Sequence, residues 1–388
     1  MPIPCALAWK ELPAHRTPLS LRERFRRAMH FEAVDRIPNV EFGYWDETLP
    51  VWHTQGLPAS VNTELDAYAY FGIERWVCPP INVGVVPPFV DETIEEIGDY
   101  AIRRTNDGAL VKEVRTGVRT IPHYLEYAVK DRATWAALKQ RLDPDDPARF
   151  PADWPELLDE YRRCDMLRYV DFGSMLGVPR NWMGFENIAV LAYDDPEMFE
   201  DMTETLCRVS CAVLEKLLPQ MPFDAAGGWE DICFKNGPIV SPAMFERYVV
   251  PRYQRITALL RRHGIDVIMT DCDGNILPIV DQFLAGGINC MFPLEVAGGS
   301  DPVAIRQKYG RRVLLHGGVD KMPLIKGGRA IEKELLRLKP VVDEGGFIPH
   351  VDHRCPADVT LENYKLYLRL KGEIFNAGDL ASHAEHRR

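Results

Sequence analysis

From residue 223 onward, the chain alternates between short apolar segments and longer segments whose apolar residues recur at helical spacing. The first kind predicts strands and the second predicts helices, because the two structures have different hydrophobic periods. The predicted strands are 225–231, 266–270, 288–294, 312–315 and 346–350. The predicted helices are 242–263, one that ends near residue 285, one that opens at Asp301 and Pro302, 329–344, and one from about Leu361.

Five strand–helix units in succession predict a parallel sheet with right-handed crossovers. At 388 residues a closed (β/α)8 barrel fits better than an open sheet, and a doubly wound sheet is the alternative. We therefore expect an α/β fold, a (β/α)8 TIM barrel, as a single domain over residues 1–388. Residues 1–20 are expected to form an N-terminal extension and residues 376–388 a C-terminal tail.

The first half of the chain is less regular. Residues 21–30 have helical spacing and follow Ser20, a plausible N-cap, and the sequence RIPNVEF (36–42) predicts a first strand. Residues 44–101 are rich in Pro, Gly and aromatic residues, so we expect loops and short helices there. The Pro- and Asp-rich stretch 142–155 is expected to be a loop inserted in the one domain.

Composition narrows the classes of function. The net charge of −11, from 46 Lys and Arg against 57 Asp and Glu, argues against a broad phosphate-binding surface for nucleic acid. We find no apolar run near the ~18 residues of a membrane helix and no signal-peptide core, so a cytoplasmic protein is expected. The nine cysteines are scattered and form no CxxC pair, which predicts reduced thiols.

Each predicted strand ends in polar residues, and in a barrel the carboxyl ends of the strands form the active-site face. Asp271 and Asp273, in the sequence DCDGN, point to the same side of an extended segment. Two carboxylates there would bind a divalent metal, act as acid and base, or accept hydrogen bonds from a substrate. The alternative for Asp273 is that it only caps the next helix.

A second cluster follows the last predicted strand and contains His350, Asp352, His353 and Cys355. Imidazole, carboxylate and thiolate groups suit a metal such as zinc, and a catalytic metal needs only three protein ligands. The alternative is a locally hydrogen-bonded His353 and a buried Cys355.

Other strand ends supply further candidates. Glu230 and Glu295 end strands as carboxylates that are costly to bury unpaired. Lys235 follows in a polar loop, and Asp320 and Lys321 are either site residues or a surface pair. His316 precedes two glycines that would let the backbone approach a ligand. The aromatic residues that would line a pocket in the N-terminal loops are Trp45, Trp52, Tyr68 and Tyr70.

These strand-end motifs, from Trp229 to the C-terminus, resemble the uroporphyrinogen decarboxylase superfamily, particularly its corrinoid-dependent methyltransferase branch. The sequence RERFRRAMHFEAVDRIP (22–38) resembles the N-terminal signature of the same superfamily. The resemblance implies a (β/α)8 barrel. The true decarboxylase carries the arginine-rich RQAGRYLPEY after its first strand, whereas this chain has FGYWDETLPVW (42–52). Without arginines to pair the substrate carboxylates, porphyrinogen decarboxylation is not expected.

The methyltransferase branch binds zinc through a His-x-Cys pair and a later Cys. The resemblance places Asp271, Asp273 and His353 at these positions, so it implies zinc or another divalent metal on harder ligands. Our leading hypothesis is a metal-dependent methyltransferase that moves a methyl group from a small methoxylated or methylated compound to a corrinoid on a separate partner protein. Glu230 and Glu295 would support the metal or donate protons. The residues expected to bind substrate are Trp45, Lys235, Asn275, His316, Asp320, Lys321, His350 and Asp352.

Two alternatives remain open at this stage. One is a metal-free decarboxylase or lyase for a smaller acid, with Asp271 and Asp273 as acid and base and Lys235 or Lys321 as the carboxylate anchor. The other is a non-catalytic protein that docks a tetrapyrrole or corrinoid. The sequence also leaves a homodimer open.

Overall fold

The computed structural model describes residues 19–115 and 122–376, so most of the predicted extension and tail lies outside the described residues. The strands are β1 (Trp76–Val77), β2 (Glu92–Ile97), β3 (Tyr100–Arg104), β4 (Leu110–Val114), β5 (His123–Glu126), β6 (Leu167–Asp171), β7 (Ala225–Trp229), β8 (Cys233–Phe234), β9 (Gly237–Pro238), β10 (Ile268–Asp271), β11 (Cys290–Phe292), β12 (Leu314–Val319) and β13 (Phe347–Val351).

The helices are α1 (Leu21–Met29), α2 (Thr48–Thr54), α3 (Glu64–Phe71), α4 (Arg132–Lys139), α5 (Trp154–Arg163), α6 (Gly177–Met183), α7 (Phe185–Asp194), α8 (Pro196–Leu217), α9 (Pro242–Met244), α10 (Val250–Arg262), α11 (Val280–Ala285), α12 (Pro302–Tyr309), α13 (Lys321–Lys326), α14 (Arg329–Glu344) and α15 (Leu361–Phe375). A π-helical turn, Phe245–Val249, joins α9 to α10, and 3-10 turns occupy Pro147–Arg149, Leu218–Gln220 and Gly310–Arg312.

Seven parallel strands form a curled sheet in the order β1-β6-β7-β10-β11-β12-β13. The helices that follow the strands pack on its outside, and apolar side chains fill the inside: Leu167, Ala225, Val267, Cys290, Leu314 and Ile348. This arrangement confirms the predicted α/β fold of TIM-barrel type. Because the strands are parallel, their carboxyl ends all meet at one face.

The predicted first strand, 36–42, is wrong as a regular strand, although the chain is extended there. Instead of a ladder it makes isolated contacts on both sides: Glu74 N–H donates to Asn39 O at 2.7 Å, and Cys355 N–H donates to Gly43 O at 2.8 Å. The segment therefore lies between β1 and the end of β13. Pro38 has no N–H to give to a ladder, which is one reason that regular pairing fails.

A buried carboxylate holds this closing segment in place. Glu41 Oε1 accepts from Lys371 Nζ at 2.7 Å and from the hydroxyl of Tyr367 at 2.8 Å, both on α15. Its Oε2 accepts from Val351 N–H of β13 at 3.2 Å. The side chains of Glu41 and Lys371 are 2% and 5% exposed, so the charges are compensated almost without water. One side chain thus links the segment, β13 and the last helix.

The predicted elements of the second half are confirmed with shifted ends. For example, α14 has the predicted bounds. In the first half, the helix predicted for residues 21–30 is confirmed as α1, which begins after Ser20, whose hydroxyl accepts from Glu23 N–H as an N-cap. The fourth strand was predicted to end at residue 315, but β12 continues to Val319 because its register with β13 runs on to the pair Val319↔Val351. His316 therefore lies within a strand and not in the loop that follows it.

The prediction of loops and short helices for residues 44–101 is right for α2 and α3 but misses β1, β2 and the first residues of β3. The strands β2 to β5 form a separate antiparallel sheet in that order. All six residues of β2 are exposed, so no alternation of buried and exposed positions marked this strand in the sequence. Among the described residues, no helix is long and apolar enough to cross a membrane.

The variant Lys371→Met should lower the free energy of unfolding by about 3–5 kcal/mol, because it leaves the Glu41 carboxylate buried without its cation. Urea unfolding followed by circular dichroism measures this loss. The double variant Glu41→Gln/Lys371→Met should lose less than the single one, and Lys365→Met, at an exposed position of α15, is the control. A loss below about 1 kcal/mol for Lys371→Met would contradict a closing role for this pair.

Candidate active site

Three aspartates meet at the carboxyl ends of two neighbouring strands. Asp271 ends β10 in register with Trp229 of β7, Asp231 follows β7, and Asp273 follows β10. One carboxylate oxygen of each lies within 4.8 Å of the others. Asp231 has a positive φ of 45°, which is uncommon for a residue with a side chain, and its Oδ1 accepts from Asp273 N–H at 3.0 Å. The left-handed backbone conformation of Asp231 thus brings the third carboxylate into the cluster.

The cluster carries an excess of negative charge. Burial and then the charges of Asp231 and Asp273 raise the pKa of Asp271 well above its usual range. Burial and the charge of Asp273 also raise the pKa of Asp231. Asp273 Oδ1 is buried without a hydrogen-bond partner among the described residues. A cation between these oxygens would remove the repulsion and give Asp273 Oδ1 a partner, so the donor set fits a divalent metal.

His353 lies beside the cluster. Its Nε2 is 3.1 Å from Asp273 Oδ2, and its Nδ1 accepts from Arg354 N–H at 2.8 Å. Because Nδ1 is an acceptor, Nε2 carries the proton and donates a hydrogen bond to Asp273. Burial lowers the pKa of His353, but the hydrogen bond and charge of Asp273 outweigh it and leave the pKa raised. The exposed ring of Trp45 stacks on this imidazole at 5.1 Å between ring centroids.

An ion-pair network adjoins the cluster. Lys321 Nζ lies 3.2 Å from Glu295 Oε1 and 3.6 Å from Asp352 Oδ1, and Glu295 Oε2 accepts from Gly274 N–H at 3.1 Å. Burial raises the pKa of Asp352 to about 6. Lys321 therefore does not pair with Asp320, whose carboxylate instead caps α13 by accepting from Met322 N–H at 2.8 Å. The network connects the loop after Asp273 to β13.

Glu230 faces away from the three aspartates. Its fully buried carboxylate accepts at 2.8 Å from the N–H groups of Met175, Leu176 and Gly177, and also from the hydroxyls of Ser174 and Tyr253. Burial raises its pKa to about 7. Glu230 thus orders the turn before α6, which brings Ser174 to the wall of the cavity described below.

Two other site candidates lie inside the barrel. His350 Nδ1 donates to Val351 O, so its Nε2 accepts from His316 Nδ1–H, and both distances are 2.7 Å. Both side chains are fully buried, and burial lowers both pKa values. The remaining candidates are further out: Asn275 Oδ1 accepts from Leu277 N–H at 3.2 Å, and Lys235 is exposed between β8 and β9.

A cavity of about 730 Å³ opens beside the cluster inside the carboxyl end of the barrel. Its aromatic walls are Phe42, Trp76, Tyr169, Trp182, Trp229 and Phe292, and its carboxylates are Asp107, Asp171 and Asp271. No lysine or arginine is among its described lining residues. A cavity of this size holds a small organic molecule, and its charge disfavours an anion.

Sequence reasoning missed several of these residues. Asp171 and Tyr169 lie on β6, and no strand was predicted there. The sequence YVDF did carry a signal, since an aspartate follows apolar residues there as it does at the other strand ends. Asp231 is the last residue of the predicted strand 225–231, and its position in the sequence does not mark it as a site residue. Its place in the cluster depends on its positive φ, which the residue type does not reveal.

The family model of uroporphyrinogen decarboxylase (URO-D) matches residues 173–371. The chain belongs to the URO-D family. A methyltransferase from Methanosarcina mazei has a similar fold, with a TM-score of 0.59 and 15% sequence identity over 92% of this chain and 99% of that protein. No curated protein sequence matches the chain. The URO-D match includes the three aspartates and His353, whereas Trp76, Asp107, Tyr169 and Asp171 of the cavity precede it.

The buried histidines of this URO-D family member predict a loss of stability in acid. Burial and the charge of Lys371 lower the pKa of His350 from 6.5 to about 3 in the folded state. The neutral imidazole therefore contributes its full stability above pH 6.5 and loses it as the pH falls toward 3. At pH 5 we expect a loss of about 2 kcal/mol from this group alone.

Urea unfolding at pH 8, 6.5 and 5 measures this dependence. The variant His350→Gln, which does not titrate, should show a shallower decrease between pH 6.5 and 5. An unchanged pH dependence in the variant would contradict the assignment of that proton uptake to His350.

Proposed function

We propose that the protein is a methyltransferase of the URO-D family, which moves a methyl group from a small methoxylated or methylated compound to the corrinoid of a separate protein. The observation that carries the proposal is the aromatic cavity without lysine or arginine beside three clustered carboxylates. A porphyrinogen with several carboxylates would find no cation in that cavity, and an unpaired buried charge is costly. The similarity in fold to the methyltransferase from Methanosarcina mazei is consistent with the proposal.

A divalent metal would be held by Asp231, Asp271 and Asp273, whose oxygens lie within 4.8 Å of one another. When bound, it would supply a Lewis acid for the heteroatom that loses the methyl group. His353 donates from Nε2 to Asp273 and so orients that carboxylate from outside the donor set. The resemblance implied His353 as the third ligand, and the proposed set has Asp231 in its place. The reason is that Nε2 of His353 carries a proton, so its lone pair is not free to bind a metal.

The other side chains position these groups. Lys321 holds Glu295, whose Oε2 in turn fixes the backbone of Gly274 next to Asp273. Glu230 orders the turn at Ser174 in the cavity wall. Trp45 is exposed and stacks on His353, so it would shield the cluster from water on the side where a partner's corrinoid would approach.

A decarboxylase or lyase for a smaller acid is the second candidate, and one observation favours it. Burial raises the pKa of Asp271, as do the neighbouring carboxylates, so Asp271 would remain protonated and able to donate to a carbanion. In this reading Lys321, whose charge is already shared by Glu295 and Asp352, would have to anchor the substrate carboxylate.

Metal analysis and a transfer assay separate the two candidates. We expect about one divalent metal per chain by plasma mass spectrometry, lost in Asp271→Asn and retained at roughly 10–100-fold lower affinity in His353→Ala. The surface variant Asp159→Asn should behave as the wild type, since Asp159 is 66% exposed on α5. Methyl transfer from methoxylated arenes to a reduced corrinoid protein, followed by its absorbance, should fall with the metal content.

Decarboxylation of small acids by metal-free protein, without any methyl transfer, would contradict the proposal and favour the lyase. Equal loss of metal in His353→Ala and Asp271→Asn would restore His353 to the ligand set.

A further inference from the structure

Aromatic rings line the cavity in two edge-to-face pairs. Phe42 and Phe292 meet edge to face at 4.6 Å between ring centroids, and Trp76 and Tyr169 do so at 5.9 Å. All four side chains are among those that line the cavity. Ring faces attract a cation through their quadrupole, most strongly where water is excluded.

Two carboxylates outside the metal cluster complete this lining. Asp171 ends β6, and its Oδ1 accepts from Gly173 N–H at 2.7 Å. Asp107 lies on the turn between β3 and β4, where the hydroxyl of Thr105 donates to it. Among the described residues, neither carboxylate forms an ion pair with a lysine or arginine, and burial raises the pKa of Asp171. An ionised carboxylate that is buried without a cation is costly, so a bound cation would stabilise the ionised form of Asp171.

The Tyr169 hydroxyl adds a polar group next to Asp171 in the cavity wall. The Tyr169 hydroxyl has no hydrogen bond to any described residue, and it lies over Gly227, where a Cβ atom would be only 1.9 Å from it. Gly227 is thus needed for the hydroxyl to reach its place. The hydroxyl and the Asp171 carboxylate both accept hydrogen bonds, which is what an ammonium group offers.

We propose that the substrate of this cavity is an organic cation: a methylated compound that carries an ammonium group, bound by Asp171, Asp107 and the surrounding rings. The transferred methyl group would face Asp271, the residue shared by the cavity and the metal cluster. The identity of the reaction rests on the proposed function, but the preference for a cation does not. Carboxylated donors are excluded by the same charges.

The spacing of the carboxylates limits the length of the substrate. Asp171 and Asp271 end β6 and β10, and β7 lies between these strands. At about 4.8 Å per strand, their backbones are roughly 10 Å apart. A single benzene ring with an aminomethyl group on one side and a methoxy group on the other spans such a distance. The cavity volume of about 730 Å³ accommodates it.

Three ligands that share a ring and a methoxy group test the proposal by charge: 4-methoxybenzylamine, 4-methoxybenzyl alcohol and 4-methoxybenzoate. Isothermal titration of the full-length, metal-loaded protein at pH 7.5, without corrinoid, gives their affinities. We expect the amine to bind at least tenfold more tightly than the alcohol, and the benzoate more weakly than either. Equal affinities for amine and alcohol, or tightest binding of the benzoate, would overturn the proposal.

A variant assigns the preference to its residue. Asp171→Asn should reduce the affinity for the amine at least tenfold and that for the alcohol less than threefold, whereas Asp159→Asn should change neither. If circular dichroism shows that Asp171→Asn does not fold, Asp107→Asn replaces it with the same expected direction. An amine preference that survives in the folded Asp171→Asn or its replacement would overturn the assignment.

The binding assay tests the cation site and the transfer assay tests the proposed function, so either proposal can be contradicted without the other. A preference for the amine without methyl transfer from it or from the other ligands would contradict the proposed function and leave the cation site intact. Methyl transfer from the alcohol or the benzoate without a preference for the amine would support the proposed function and overturn the cation site.

Discussion

The closure of the barrel depends on the buried carboxylate of Glu41. It receives hydrogen bonds from α15 and β13, and it lies in a segment that has no regular ladder of its own. The same segment carries Phe42 and leads to Trp45, and both rings contact His353. The ion pair of Glu41 and Lys371, next to Phe42 in this extended segment, thus holds the aromatic wall of the candidate site in place.

The second constraint is electrostatic. Parallel strands place their carboxyl ends at one face, and here β6, β7 and β10 all end in or lead to an aspartate. Burial raises the pKa values of Asp171, Asp231 and Asp271, and the charges of neighbouring carboxylates raise those of Asp231 and Asp271 further. The two proposals follow from this concentration of carboxylates. A divalent metal would compensate the charge of the cluster, and an organic cation would compensate the carboxylates of the cavity.

Much of the second half of the fold was predictable from the sequence, since β7 and β10 to β13 are short apolar segments between amphipathic helices. The prediction failed where burial did not mark the strand. β2 is exposed along its whole length, and the closing segment 36–42 is extended without a ladder. In the site, Asp271 and Asp273 were found because they directly follow an apolar strand, whereas Asp171 was missed with its strand.

The sequence by itself determined the class of fold and the edge at which the polar residues gather, because hydrophobic period and strand ends are local properties. Only the tertiary structure decided which of these residues meet. It joined Asp231 to Asp271 and Asp273 through a positive φ and the pairing of β7 with β10. It turned Glu230 toward the N–H groups before α6 and placed His316 and His350 inside the barrel. Such partners are distant along the chain, and their distances depend on strand register and barrel closure.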